Sequence, residues 1–286
     1  MHLYIVVVTF IGIVLFPKVT LSQSKTGKMF EFEISEQKEI AQPKGLPGKV
    51  KPQLISSKIK FNYFGHDAYT GENPKARVEF LDYTQNSADN GASDSSVNMV
   101  RQDSFQNRLA AFRGAKFSLE IAKSGKVNSM EGYDAFRSDF DRLSDGAGGN
   151  SAVFFPREYF MQLFEKISAI LPDSEISISS TWTVDQDVVV SDPLIIAKGV
   201  YRVVEMNSDA IHVRATYNVD QSFEFQPGKS MVMEGHGEGD FIVNSKTGIL
   251  VRSYTSVAVA GSVTGGQTNL TTNVRYTTEI TSKTIN

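Results

Sequence analysis

Four side chains that can exchange protons or hold a cation, Glu234, His236, Glu238 and Asp240, stand at every second position of the run from Met231 to Val243. In a β-strand that spacing places all four on one face. Zinc generally takes several imidazole or thiolate ligands, whereas this stripe holds one histidine and the chain has no cysteine. The stripe therefore reads as a solvated outer face, and no metal is expected. The opposite face carries Met231, Met233, Gly235, Gly237, Gly239, Phe241 and Val243. Glycine weakens a strand interior unless the backbone bends sharply or something approaches closely, so the three glycines are expected to face the interior or a cavity wall.

Other catalytic patterns fail on spacing or context. Asp139, Asp141 and Asp145-Gly146 begin like a calcium loop, but Leu143 and Asn150 occupy the fifth and twelfth positions, where oxygen ligands are needed. There is no Gly-x-Ser-x-Gly elbow, no His-Glu-x-x-His and no Walker loop. Gly235 to Gly239 repeats glycine inside a strand pattern and opens no helix, so it is not a dinucleotide fingerprint. With no convergent acid, base and nucleophile, no catalytic residue and no cofactor are assigned. A hydrolase of unrecognised type is the alternative, and it requires His66, His212 or His236 within hydrogen-bond reach of both a carboxylate and a hydroxyl.

The apolar side chains say more. Phe160, Phe164 and Ile167 on one helical face, Trp182, the only tryptophan, and Met231, Met233 and Phe241 form the candidate ligand-binding set. Aromatic area and adaptable methionine suit an apolar ligand. The same residues also suit an ordinary core between helix and sheet, and the sequence leaves both readings open.

The elements that must position these residues follow from periodicity. Strands are expected at Ile55 to Phe64, Ala76 to Tyr83, Ser96 to Asp103 and Lys116 to Ala122, with a loop at Asn86 to Ser96. Helical spacing appears at Tyr133, Phe136, Phe140 and Leu143, and again from Phe160 to Leu171, with Pro156 where a helix start tolerates proline. After Pro172 strands return at Ser177 to Thr183, Ile195 to Met206, Ala210 to Val219, Met231 to Asn244, Leu250 to Val263 and Asn269 to Ser282. Ala115 to Val127 and Gly239 to Val251 echo one another as hairpins whose turns carry Gly125 and Gly248. They are compatible with two related halves, 54–131 and 176–286, joined by a helical insert, 132–175. Long strand runs on either side of a helical insert predict an α+β fold with a curved, mostly antiparallel sheet, half-barrel like, packed on one or two central helices.

The apolar run Leu3 to Phe16, followed by Pro17, Lys18 and small residues to Ser22, fits a cleavable signal peptide over 1–22 better than a membrane span. An uncleaved anchor is the competing reading. Residues 23–53, with Pro43, Pro47 and Pro52, read as an extended segment ahead of a single domain over 54–286. The net charge of -3 becomes -4 without Lys18, and no block of basic residues stands out, so no nucleic-acid partner is expected. The absence of cysteine excludes disulfides and a lipid-modified cysteine behind the signal.

Leu171-Pro172, Trp182-Thr183, the strand pair Tyr201 to Val204 and Ala210 to Arg214, and the run Met233 to Ile249 resemble an uncharacterised family of secreted bacterial proteins common in Bacteroidetes. The likeness covers about residues 115 to 265. Members carry Gly-Asp-x-Trp where this chain has Ser179-Ser180-Thr181-Trp182, so the glycine that would serve a tight turn is missing. At fold level the chain is similar to lipoprotein carriers, in which a curved antiparallel sheet wraps helices and leaves an apolar concavity. That resemblance implies a secreted or periplasmic, non-catalytic protein binding an apolar small molecule, a lipid or another envelope component. A structural or adhesive surface protein is the rival.

Overall fold

The computed structural model describes residues 29–41, 53–65, 75–89, 109–122, 125–143, 155–168, 170–172, 174–189, 195–226, 228–264 and 270–285. Five strands precede the helices: β1 (Met29–Ile40), β2 (Gln53–Gly65), β3 (Lys75–Asp89), β4 (Lys116–Ile121) and β5 (Val127–Glu131). Helices α1 (Tyr133–Arg142) and α2 (Arg157–Ser168) follow. Six strands complete the chain: β6 (Thr181–Val189), β7 (Ile195–Met206), β8 (Ala210–Gln226), β9 (Lys229–Asn244), β10 (Leu250–Thr264) and β11 (Leu270–Ile285).

All eleven strands join one open sheet in the order β5-β4-β3-β2-β1-β11-β10-β9-β8-β7-β6, every neighbouring pair antiparallel. The chain leaves the β5 edge, forms both helices and returns at the far edge as β6. The expected strand at Ser96 to Asp103, the leader and His66 lie outside the described residues.

Met29–Ile40 stands inside this sheet, between β2 and the central strand β11, although the sequence reading placed it in an extended lead-in. The cause is visible in its alternation. Phe30, Phe32 and Ile34 are buried, while Glu31 and Glu33 pair on the other face with Lys283 and with Lys58 and Lys60. Neighbouring prolines and lysines masked a period-two pattern that otherwise specifies a strand.

Rings of α2 meet rings of β2, β3 and β4. Phe164 lies 5.8 Å from Phe61, and Phe160 lies 5.8 Å from Phe80 and 5.1 Å from Phe117. Polar ties fix the helix lengthwise. Ser168 Oγ donates to the Gly125 carbonyl at 2.6 Å, Glu165 accepts the Val127 N–H at 2.9 Å, and Lys166 pairs with Glu36 of β1 at 3.0 Å. Tyr133 of α1 donates to the Phe155 carbonyl just before α2, at 3.0 Å.

Both echoed hairpins form, and Gly125 and Gly248 take φ of 81° and 68°, the left-handed region that their turns require. The expectation that the turn before Trp182 lacks support is corrected. Ser179 itself takes φ 73°, Ser180 N–H donates to the Ser177 carbonyl at 3.0 Å, and Ser180 Oγ accepts the Ser177 N–H at 2.8 Å. Hydrogen bonding from serine replaces the conformational freedom of glycine.

Candidate functional site: a cross-strand pocket

The glycine face of β9 is the core face. Met233, Gly239, Phe241 and Val243 are buried, whereas Glu234, His236 and Glu238 are exposed. A Cβ on Gly235 would run into the Ala258 carbonyl oxygen, and one on Gly237 into the Ser256 carbonyl oxygen and, at 2.8 Å, Val257 Cγ2. The β10 backbone therefore approaches the inner face of β9 so closely that no side chain fits.

Gly235 lies in a pocket of about 1010 Å³. Six of its lining residues, Gln53, Ile40, Val274, Val259, Gly235 and Val219, form one continuous register row across β2, β1, β11, β10, β9 and β8. All but Gln53 are apolar. Their sequence neighbours Glu39, Asn218, Asp220, Glu234, His236, Asn273 and Arg275, all on the exposed face of the same strands, also line it, so His236 of the sequence-based hydrolase alternative lies at this pocket.

One row further in, Gly199 of β7, Tyr217 of β8 and Gly237 of β9 are register partners. A Cβ on Gly199 would meet the Tyr201 ring at 2.7 Å and the Tyr217 ring at 2.9 Å, so the two tyrosines occupy the space that glycine leaves. Their hydroxyls lie 3.0 Å apart. Burial pushes the Tyr201 phenol up to about 12 and the Tyr217 phenol well above its ordinary value, so both stay neutral at physiological pH. Tyr201 also stacks on Trp182 at 5.7 Å and lies 5.5 Å from Phe241. The indole Nε1 of Trp182 is buried without a hydrogen-bond partner among the described residues.

The seven residues singled out from the sequence fall in three places. Phe160, Phe164 and Ile167 are buried on α2, with the two phenylalanines among the rings of β2 to β4. Trp182 and Phe241 flank Tyr201. Met231 and Met233 continue along β9 beyond Gly235, with Met233 buried and Met231 partly so. None of the seven lines the pocket. Sequence reasoning missed Ile40, Val219, Val259 and Val274, whose alternation marks them as inward-facing but carries no sign that they share a row.

On the outer face, His212 Nε2 lies 2.8 Å from Asp240 Oδ2, with Arg214 Nε 3.7 Å from the same oxygen. His212 makes no hydrogen bond to a hydroxyl among the described residues. Among those residues no group of three or more His, Cys, Asp or Glu side chains is placed to hold a metal ion.

Comparison with known proteins gives one family. Residues 75–250 match the model of a family of unknown function (DUF6263). No curated protein matches. Among solved structures the chain is similar to an outer membrane channel from Pseudomonas putida F1, with 6% identity, 90% of this chain and 96% of that chain covered, and a TM-score of 0.17. Likeness at that level carries no argument about fold or function.

Proposed function

The chain belongs to the DUF6263 family of unknown function, and from that premise we propose that it is a non-catalytic carrier binding an apolar ligand, a lipid or a lipid-bearing envelope component, outside the cytoplasm. The observation that carries this reading is the row Ile40, Val274, Val259, Gly235 and Val219 along a pocket of about 1010 Å³. Small-molecule sites usually run from about 300 to 1,000 Å³ and are lined mainly by apolar groups. The pocket is therefore of a size for a long chain.

In this proposal the sheet is a half-barrel. Its β1 to β5 half holds α2, and its β8 to β11 half, creased at Gly235 and Gly237, encloses the ligand. The close approach of the β10 backbone to both glycines supports that curvature. The signal-like run Leu3 to Phe16 supports export.

Organic extracts of the purified chain, analysed by mass spectrometry, are expected to contain a stoichiometric lipid or other apolar molecule. Val274→Trp, which adds bulk to the half-buried wall, is expected to lower its recovery by about tenfold or more while the chain still melts cooperatively. Native protein with nothing bound and no affinity for an apolar dye would sink the carrier reading.

A further inference from the structure

Charge is spread unevenly along the pocket. Glu39 has Arg275 as its register partner, so at the β1–β11 pair the two charges offset each other. Asp220 of β8 and Glu234 of β9 are register partners too, and both line the pocket from exposed positions. Neither makes an ion pair or a hydrogen bond among the described residues. The lysine of β1, Lys38, is not a lining residue; its ammonium lies over the Tyr276 ring, 5.5 Å from the centroid, where burial holds it below the usual lysine range.

Like charges directly opposite each other destabilise an antiparallel pair. Other register partners in this sheet carry opposite charges: Lys283 pairs with Glu31 at 2.7 Å, Lys60 with Glu33 at 3.1 Å and Lys116 with Glu79 at 3.4 Å. Arg202 and Arg214 do oppose each other, but Arg214 has Asp240 within 3.7 Å. Asp220 and Glu234 have no such relief, and they stand at a pocket. Local costs of this kind gather at functional positions, where a ligand offsets them.

The far end of the lining differs. Beyond the offset Glu39 stand Ile40 of β1 and Leu54 of β2, the latter a large apolar side chain left 38% exposed. From β8 to β2 the order β8-β9-β10-β11-β1-β2 makes five strand spacings, roughly 24 Å along the sheet. The lining therefore has an acidic end and an apolar end.

Resting on the carrier reading, we infer that the ligand is an amphiphile whose head is a protonated amine, the head at Asp220 and Glu234 and the chain along the row towards Ile40 and Leu54. A carboxylate or phosphate head would add a further negative charge to the acidic end. An uncharged head would leave the opposed carboxylates unmatched.

The test is titration of the purified full chain, stripped of bound lipid, with oleylamine, oleyl alcohol and oleate at neutral pH, below the concentrations at which they aggregate. The three share a chain and differ in the charge of the head. Oleylamine is expected to bind about fivefold or more tightly than the alcohol, because ammonium hydrogen bonds to carboxylates are strong even where solvent partly screens them, and oleate more weakly than either. Asp220→Asn combined with Glu234→Gln removes both charges at nearly constant shape. It should abolish the preference for the amine and leave affinity for oleyl alcohol unchanged. Equal binding of the three by the native chain, tighter binding of oleate, or a preference for the amine that survives the double change overturns the head-group assignment and leaves the carrier reading intact. Failure of all three probes to bind overturns both. Should the double variant not fold, the ranking of the probes by the native chain still decides.

Discussion

Ser179 holds a φ of 73° that L-residues other than Asn and Asp rarely adopt, and it does so at a turn closed by Ser180. The strain costs about 1 kcal/mol relative to glycine. Ser179→Gly is therefore expected to raise the midpoint of thermal unfolding, and an unchanged or lower midpoint would show that the serine contributes more than backbone shape. Gly237 is the opposite case. Gly237→Val forces a side chain into the Ser256 carbonyl and the Val257 methyl, and its expected cost is roughly 1–3 kcal/mol, read from a denaturant melt. Lys38 adds a dependence on pH. Its folded-state pKa lies below the ordinary 10.5, so in the window beneath 10.5 the unfolded chain binds more protons than the folded one. Stability carried by this residue is expected to rise with pH there, and the wild-type and Lys38→Met stability curves should converge as pH climbs towards 10. Of these residues the glycine face was legible, because three glycines in a strand demand a reason. Lys38 was not, because it becomes an interior residue only once Met29–Ile40 is known to be a strand.

Among the elements, α2 is bound to the sheet at three places of different character: ring stacking at Phe160 and Phe164, the Ser168 and Glu165 hydrogen bonds to the β4–β5 hairpin, and the Lys166–Glu36 pair. Removing Lys166 alone leaves a largely buried carboxylate with, among the described residues, only the Ser57 hydroxyl. Lys166→Met is expected to cost about 1–3 kcal/mol, and the double change with Glu36→Leu less than that, because replacing both members of a buried pair with apolar groups is often close to neutral. A double-mutant cycle by chemical denaturation measures the difference. The helix was readable from Phe160, Phe164 and Ile167 at one-face spacing, and Pro156 marked its start. Strand limits were less so. β3 and β8 run on past Tyr83 and Val219 because backbone pairing with β2 and β9 continues through polar residues that carry no hydrophobic alternation. The pocket row belongs to the same class of hidden information, since register between strands distant in sequence sets it.

At the scale of the molecule, one sheet joins all eleven described strands, and the chain has no cysteine with which to cross-link them. Its unfolding midpoint is expected to be identical with and without reductant. Export makes a separate prediction: intact mass of the protein recovered from a secreting host should correspond to a chain starting at Gln23, and retention of Met1 to Ser22 would contradict the signal-peptide expectation. The arrangement of strands also bears on how the protein is made. Met29 faces Ile285 across the β1–β11 pair, so β1, the first described strand, finds one of its two neighbours only when β11, the last described strand, has been produced. Contacts so remote in sequence slow folding, and until they form, β1 and β10 each present a row of unsatisfied peptide groups. During synthesis the seam between β1 and β10 therefore stays open until β11 has emerged, and the sheet is continuous only once that strand is in place.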